Sequence, residues 1–103
     1  GLVNTVGVDR KWNRYTVHPD SRKSIVGFQI PKWSEILATV KNAAWVHPEV
    51  RYVGWDVTIK GNGEIVLIEG NSGADPDVTQ VEDQIGKWPL YEPLLKDIEK
   101  MKF

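Results

Sequence analysis

No cysteine occurs among the 103 residues. Disulfides and thiolate metal centres are therefore excluded, and nothing argues for an oxidising compartment, so a cytoplasmic setting is the expectation. Long hydrophobic runs are missing as well: none approaches the roughly 18 apolar residues that a membrane-spanning helix needs. An excess of charge of either sign is also lacking. Thirteen basic against fourteen acidic side chains leave a formal net charge of −1, which supplies no global attraction to nucleic acid or to an anionic membrane. Whatever the charges do, they do locally. Repeats and low-complexity linkers are absent, and the length suits one domain able to bury roughly 60–70% of its unfolded surface. The chain opens Gly-Leu-Val in mid-pattern, which suggests a single partial domain over residues 1–103 of a longer protein.

What is present is organised around Tyr52 to Asn71, YVGWDVTIKGNGEIVLIEGN. Two apolar-alternating runs flank Gly61-Asn62-Gly63, and an Asn-Gly pair between such runs predicts a β-hairpin. With Asn62-Gly63 as a two-residue type I′ turn, Gly61 faces Glu64 and Asp56 lies across from Glu69. Period-two alternation then gathers Tyr52, Gly54, Asp56, Thr58 and Lys60 on one face with Ile65, Leu67, Glu69 and Asn71. Val53, Trp55, Val57, Ile59, Val66 and Ile68 form the apolar face.

Residues 1–30 are rich in β-formers broken by polar residues and glycine, which predicts short strands or extended segments. His18-Pro19-Asp20-Ser21 has turn chemistry. Helix is expected soon after Pro31, because Trp33, Ile36, Leu37, Val40 and Ala44 form one apolar stripe at helical spacing, and it ends near Trp45 ahead of His47-Pro48. Beyond Asn71, Asp75-Pro76 can open a short helix carrying Val78, Val81 and Ile85. Pro89 can open another, with Leu94, Leu95, Ile98 and Met101 as its apolar side. The fold class predicted is α+β, an antiparallel sheet with helices on one face.

Asp56, Glu69 and Asn71 offer only oxygen donors. That set suits a hard cation such as Mg²⁺ (or Mn²⁺), which takes one or two carboxylates and completes its shell with water and phosphate oxygens. Two carboxylates directly opposed on a sheet repel each other, so the arrangement favours a cation between them. The bland alternative is a solvated strand face. Against it, Asn71 ends a strand before a Ser-Gly turn, and Glu69 lies between the apolar Ile68 and Gly70. Arg51 and Lys60 are candidate phosphate contacts, although a lone cation at a strand end is often just solvated. His18 reads as a turn residue, and His47 as a cation at a helix C-terminus. Of the five tryptophans, Trp33 and Trp55 fall on predicted core faces.

Val53-Gly54-Trp55-Asp56 followed by Ile68-Glu69-Gly70-Asn71 resembles the metal-binding end of the ATP-grasp superfamily, where an acidic residue on one strand and a Glu-x-Asn on the next hold Mg²⁺ against ATP. With His18-Pro19-Asp20 and Gly27-Phe28-Gln29-Ile30-Pro31-Lys32-Trp33, the chain is more closely similar to the sugar-transfer-associated ATP-grasp family. The resemblance implies the C-terminal lobe of an ATP-grasp domain, with ATP and Mg²⁺ as cofactors. The implied reaction is ligation of a small-molecule carboxylate to an amine or similar nucleophile through an acyl phosphate, in a setting linked to polysaccharide or cell-surface synthesis. The glycine-rich loop and nucleotide-contacting lysines of that fold belong to an upstream lobe, the expected partner, which leaves this chain with half a site and no activity by itself. Ser72-Gly73-Ala74 departs from the Pro-Gly turn that follows the Asn in many relatives. Two other classes compete: a non-catalytic interaction module using surface Trp and Tyr, and a retaining glycosidase using Asp56 and Glu69, for which so short a chain leaves little room.

Overall fold

The computed structural model describes residues 1–76, 79–80 and 83–101. It is an α+β structure with strands β1 (Gly7–Val8), β2 (Arg14–Tyr15), β3 (Gly54–Ile59) and β4 (Ile65–Asn71), and helices α1 (Trp33–Ala44) and α2 (Trp88–Glu99). Both sheets are antiparallel and two-stranded, β1 with β2 and β3 with β4. The chain divides into two compact units, Gly1–Pro31 with Pro76–Tyr91, and Lys32–Asp75 with Glu92–Phe103.

In the first unit the extended segments predicted for residues 1–30 fold back on one another in tight steps. β1 and β2 pair Gly7 with Tyr15 and Val8 with Arg14. Single bridges join Leu2 to Gln29 and Val17 to Ser24. The His18 turn is closed by His18 N–H donating to Lys23 O at 2.9 Å. Its imidazole Nδ1 accepts the amides of Asp20 (3.2 Å) and Ser21 (3.3 Å). The histidine is thus a turn residue through its acceptor nitrogen. Val78 and Val81, on which the short helix after Pro76 depends, lie outside the described residues.

The second unit holds the predicted amphipathic helix and hairpin. α1 runs from Trp33 to Ala44 with Trp45 as its C-cap, and Ile36, Leu37, Val40 and Ala43 are half-buried along one side. Ala43 stands in the stripe where Ala44 was expected. Beyond the helix end, His47 Nδ1 meets the Glu49 carboxylate at 3.1 Å. Lys32, left-handed at φ 54°, precedes the helix without a side-chain cap. α2 contains Pro93, which leaves the Pro89 carbonyl without its helical donor.

The hairpin forms, but its turn is not the two-residue one. Lys60 N–H donates to Glu64 O, and Gly63 N–H to Lys60 O, both at 2.8 Å. Gly61-Asn62-Gly63 is therefore a three-residue loop, with Gly63 at φ +86°, the left-handed position that this loop class gives to glycine. Near the turn Ile59 pairs with Ile65, Thr58 with Val66 and Val57 with Leu67; beyond a bulge Asp56 pairs with Glu69, Trp55 with Gly70 and Gly54 with Asn71. Ile68 is the unpaired residue. The longer loop shifts the register by one residue, and the bulge shifts it back.

The predicted faces are corrected accordingly on β4. Ile65 and Leu67 share a face with Val57 and Ile59, not with the carboxylates, and Val66 lies on the Asp56 side beside Thr58, as period two requires of these pairings. Ile68, predicted in the core, is 67% exposed.

Candidate metal site

At the open end of the hairpin the strands carry Asp56 opposite Glu69 and Gly54 opposite Asn71. These four positions share one sheet face by alternation. Both carboxylates are exposed. Asn71 Oδ1 accepts the Gly73 amide at 2.8 Å. This turn draws the chain back over the strand end, and a Cβ on Gly54 would lie 2.5 Å from Ala74 Cβ. Gly54 is glycine because the returning loop occupies the space that a side chain needs. On the reverse face the Trp55 indole covers its cross-strand partner, since a Cβ on Gly70 would lie 2.6 Å from Trp55 Cζ3. Gly-Trp-Asp and Glu-Gly-Asn are thus one interlocked unit, each glycine making room for a neighbour that fixes the strand end where the acids sit.

The donor chemistry fits a hard divalent cation in part. Two carboxylates and a carboxamide oxygen are donors of the kind such a cation takes, and the Asn71 oxygen keeps a second lone pair after accepting Gly73 N–H. Among the described residues no group of three or more His, Cys, Asp or Glu side chains is placed to hold a metal. Further ligands for a Mg²⁺ ion would be water and phosphate oxygens, its ordinary habit.

Arg51 and Lys60 stand at opposite ends of β3. Lys60 Nζ pairs with Glu64 Oε2 at 3.0 Å beside the turn, and Arg51 lines a cavity of about 230 Å³ with Trp45, Pro48 and Val50. The six residues of β3 lie between them, roughly 20 Å at ~3.3 Å per residue, which sets the two cations apart along the hairpin. A second cavity of about 300 Å³ is lined by His47, Val53, Trp55 and Gly70, on the face turned away from Asp56.

Two site-like features were not foreseen from sequence. Lys32 Nζ lies against the hairpin turn, 2.8 Å from where a Gly63 Cβ would be. Asp9 gathers four hydrogen bonds inside the β1–β2 loop. The Asn13 side-chain amide above all, with the backbone amides of Asn13 and Lys11 and the Tyr15 hydroxyl, holds the Asp9 carboxyl below the usual carboxylate range. An acid followed by Asn four positions on is a faint sequence signal for such a loop.

No helix among the described residues is long and apolar enough to cross a membrane. Residues 2–99 match the family model described as sugar-transfer associated ATP-grasp. No curated protein and no solved structure matches the chain.

Proposed function

Because the chain belongs to the sugar-transfer associated ATP-grasp family, we propose that it forms the C-terminal portion of an ATP-dependent, ligase-like enzyme and contributes the metal-binding half of the nucleotide site. The observation that carries this reading is the pairing of Asp56 with Glu69 on an exposed face. In it, the two carboxylates bind the cation directly and Asn71 completes the protein's share of the shell, oriented by the Gly73 amide. Bound there, Mg²⁺ supplies charge compensation for the phosphoryl group in flight. The rigid strand end holds the ligands in place, with Gly54 under the returning loop and Gly70 under Trp55. The reaction proposed is ligation of a carboxylate to an amine or similar nucleophile through an acyl phosphate. Adenine contacts come from an upstream lobe, and Arg51 or Lys60 serves singly as a phosphate contact.

The test is made in the intact enzyme that contains this lobe. Asp56→Asn and Glu69→Gln keep shape and relieve carboxylate repulsion, so melting temperature without Mg²⁺ stays level or rises. Mg²⁺-dependent ADP release falls about a hundredfold, mainly in turnover, because the ligands act most strongly as charge develops. Variants that release ADP at the parent rate would make these residues a solvated strand face. The interaction-module reading would then stand, supported by the exposed Trp12, Trp45 and Trp88.

A further inference from the structure

The chain builds the same three-residue hairpin loop twice. In the second hairpin Lys60 N–H donates to Glu64 O and Gly63 N–H to Lys60 O; in the first, Asp9 N–H donates to Asn13 O and Trp12 N–H to Asp9 O, both at 3.1 Å. The left-handed position is occupied by Gly63 at φ +86° in one and by Trp12 at φ 67° in the other. Glycine takes that conformation freely, whereas a bulky L side chain resists it. The largest side chain in the repertoire thus sits where the smallest belongs, and its indole is 63% exposed. Packing does not account for it. Strain of this kind persists where surrounding structure enforces it, and it is a pointer to use.

Asp9 provides the enforcement. Its Oδ1 accepts the amides of Lys11 (2.8 Å) and Asn13 (3.0 Å), and its Oδ2 accepts the Asn13 side chain (2.9 Å) and the Tyr15 hydroxyl (3.0 Å). The one acid of the loop is committed inward. Arg10, Lys11 and Arg14 are exposed, and among the described residues none of them takes part in an ion pair. From Asp9 to Tyr15 the sequence holds three cations against that one acid, although the whole chain is slightly acidic.

We propose that this tip is a peripheral docking point for an anionic lipid surface, with the Trp12 indole at headgroup level and Arg10, Lys11 and Arg14 against the headgroup phosphates. Tryptophan favours the membrane–water boundary, and clustered basic residues are drawn to acidic leaflets over about a Debye length. Single-stranded nucleic acid fits less well, since it calls for a groove that tracks successive phosphates beside several stacking rings, and this is one indole at a turn. The inference is independent of the metal reading.

Sedimentation with vesicles tests it, using phosphatidylcholine alone and phosphatidylcholine mixed with phosphatidylserine. The parent protein is expected on the mixed vesicles only, with binding that weakens as salt rises. The triple variant R10Q/K11Q/R14Q loses on the order of a hundredfold in affinity. Trp12→Gly binds several-fold less, yet melts at or above the parent temperature, because glycine relieves the backbone. Absence of the parent protein from acidic vesicles at low salt would overturn the proposal. So would undiminished binding by either variant, a lower melting temperature for Trp12→Gly, or tighter capture of a single-stranded oligonucleotide than of vesicles.

Discussion

Asp9 spends its whole hydrogen-bonding capacity within its own hairpin, and that gives the first unit a dependence on pH. Its carboxyl is depressed in the folded chain, first through the Asn13 side chain. A depressed carboxylate contributes stability that is present above its unfolded pKa and is lost as pH falls through the folded one. Asp9→Asn should therefore lower the melting temperature at neutral pH, and the gap between variant and parent should close below about pH 4. Thermal melts of both proteins across that range check the sign. This residue was hidden in the sequence because its partners are set by turn geometry, which periodicity does not encode. Asp56 and Glu69 carry the alternation signal of a strand pair, and their pairing agrees with the count from an Asn-Gly turn only because the bulge offsets the longer loop.

At the level of the element, the β3–β4 hairpin shows two departures from a simple count that cancel. The loop is one residue longer than the favoured Asn-Gly turn, and Ile68 bulges out of β4, so Asp56 still meets Glu69. A loop residue and a bulge residue are both invisible to an alternation count, which is why the two acids are paired as expected while Ile65, Val66 and Leu67 between loop and bulge change faces. Paired substitutions separate the two registers. Leu67→Ala, on the face shared with Val57 and Ile59, should cost about 1–2 kcal/mol for a half-buried leucine. Ile68→Ser should stay within about 0.5 kcal/mol. Chemical denaturation of the two variants decides the matter, and the reverse order would mean a regular ladder with Ile68 inside. α1 was the most legible element, since its stripe is sustained over three turns and proline chemistry bounds it on both sides.

For the molecule as a whole, the family match spans residues 2–99 and so takes in parts of both units. No described side chain is fully buried, and Trp45 and Val46 are more than two-thirds exposed. Sheets of two strands hold weakly without a further layer. The isolated 103-residue chain is accordingly expected to take up a hydrophobic dye and to bind ATP too weakly for micromolar affinity, since only the metal side of a nucleotide site is proposed to lie on it. Calorimetry with ATP and Mg²⁺ measures this directly, and micromolar binding by the chain alone would show that adenine contacts reside here. Composition could announce a modest core; which surfaces stay uncovered depends on how the segments fold back, and that has no signature in residue order.

The Gly61-Asn62-Gly63 loop also bears on chemical ageing. Asparagine followed by glycine is prone to lose ammonia, because the unhindered glycine nitrogen can attack the neighbouring carboxamide carbon and close a succinimide. In the folded hairpin that nitrogen donates to Lys60 O at 2.8 Å, and the Asn62 side-chain oxygen accepts the Glu64 amide at 3.0 Å. Both reacting groups are tied to other partners, so deamidation at Asn62 waits on opening of the turn. The isoaspartate that follows adds a methylene to the main chain of the loop whose length sets the strand register. Accumulated deamidation therefore keeps a cumulative record of the time the hairpin has spent open.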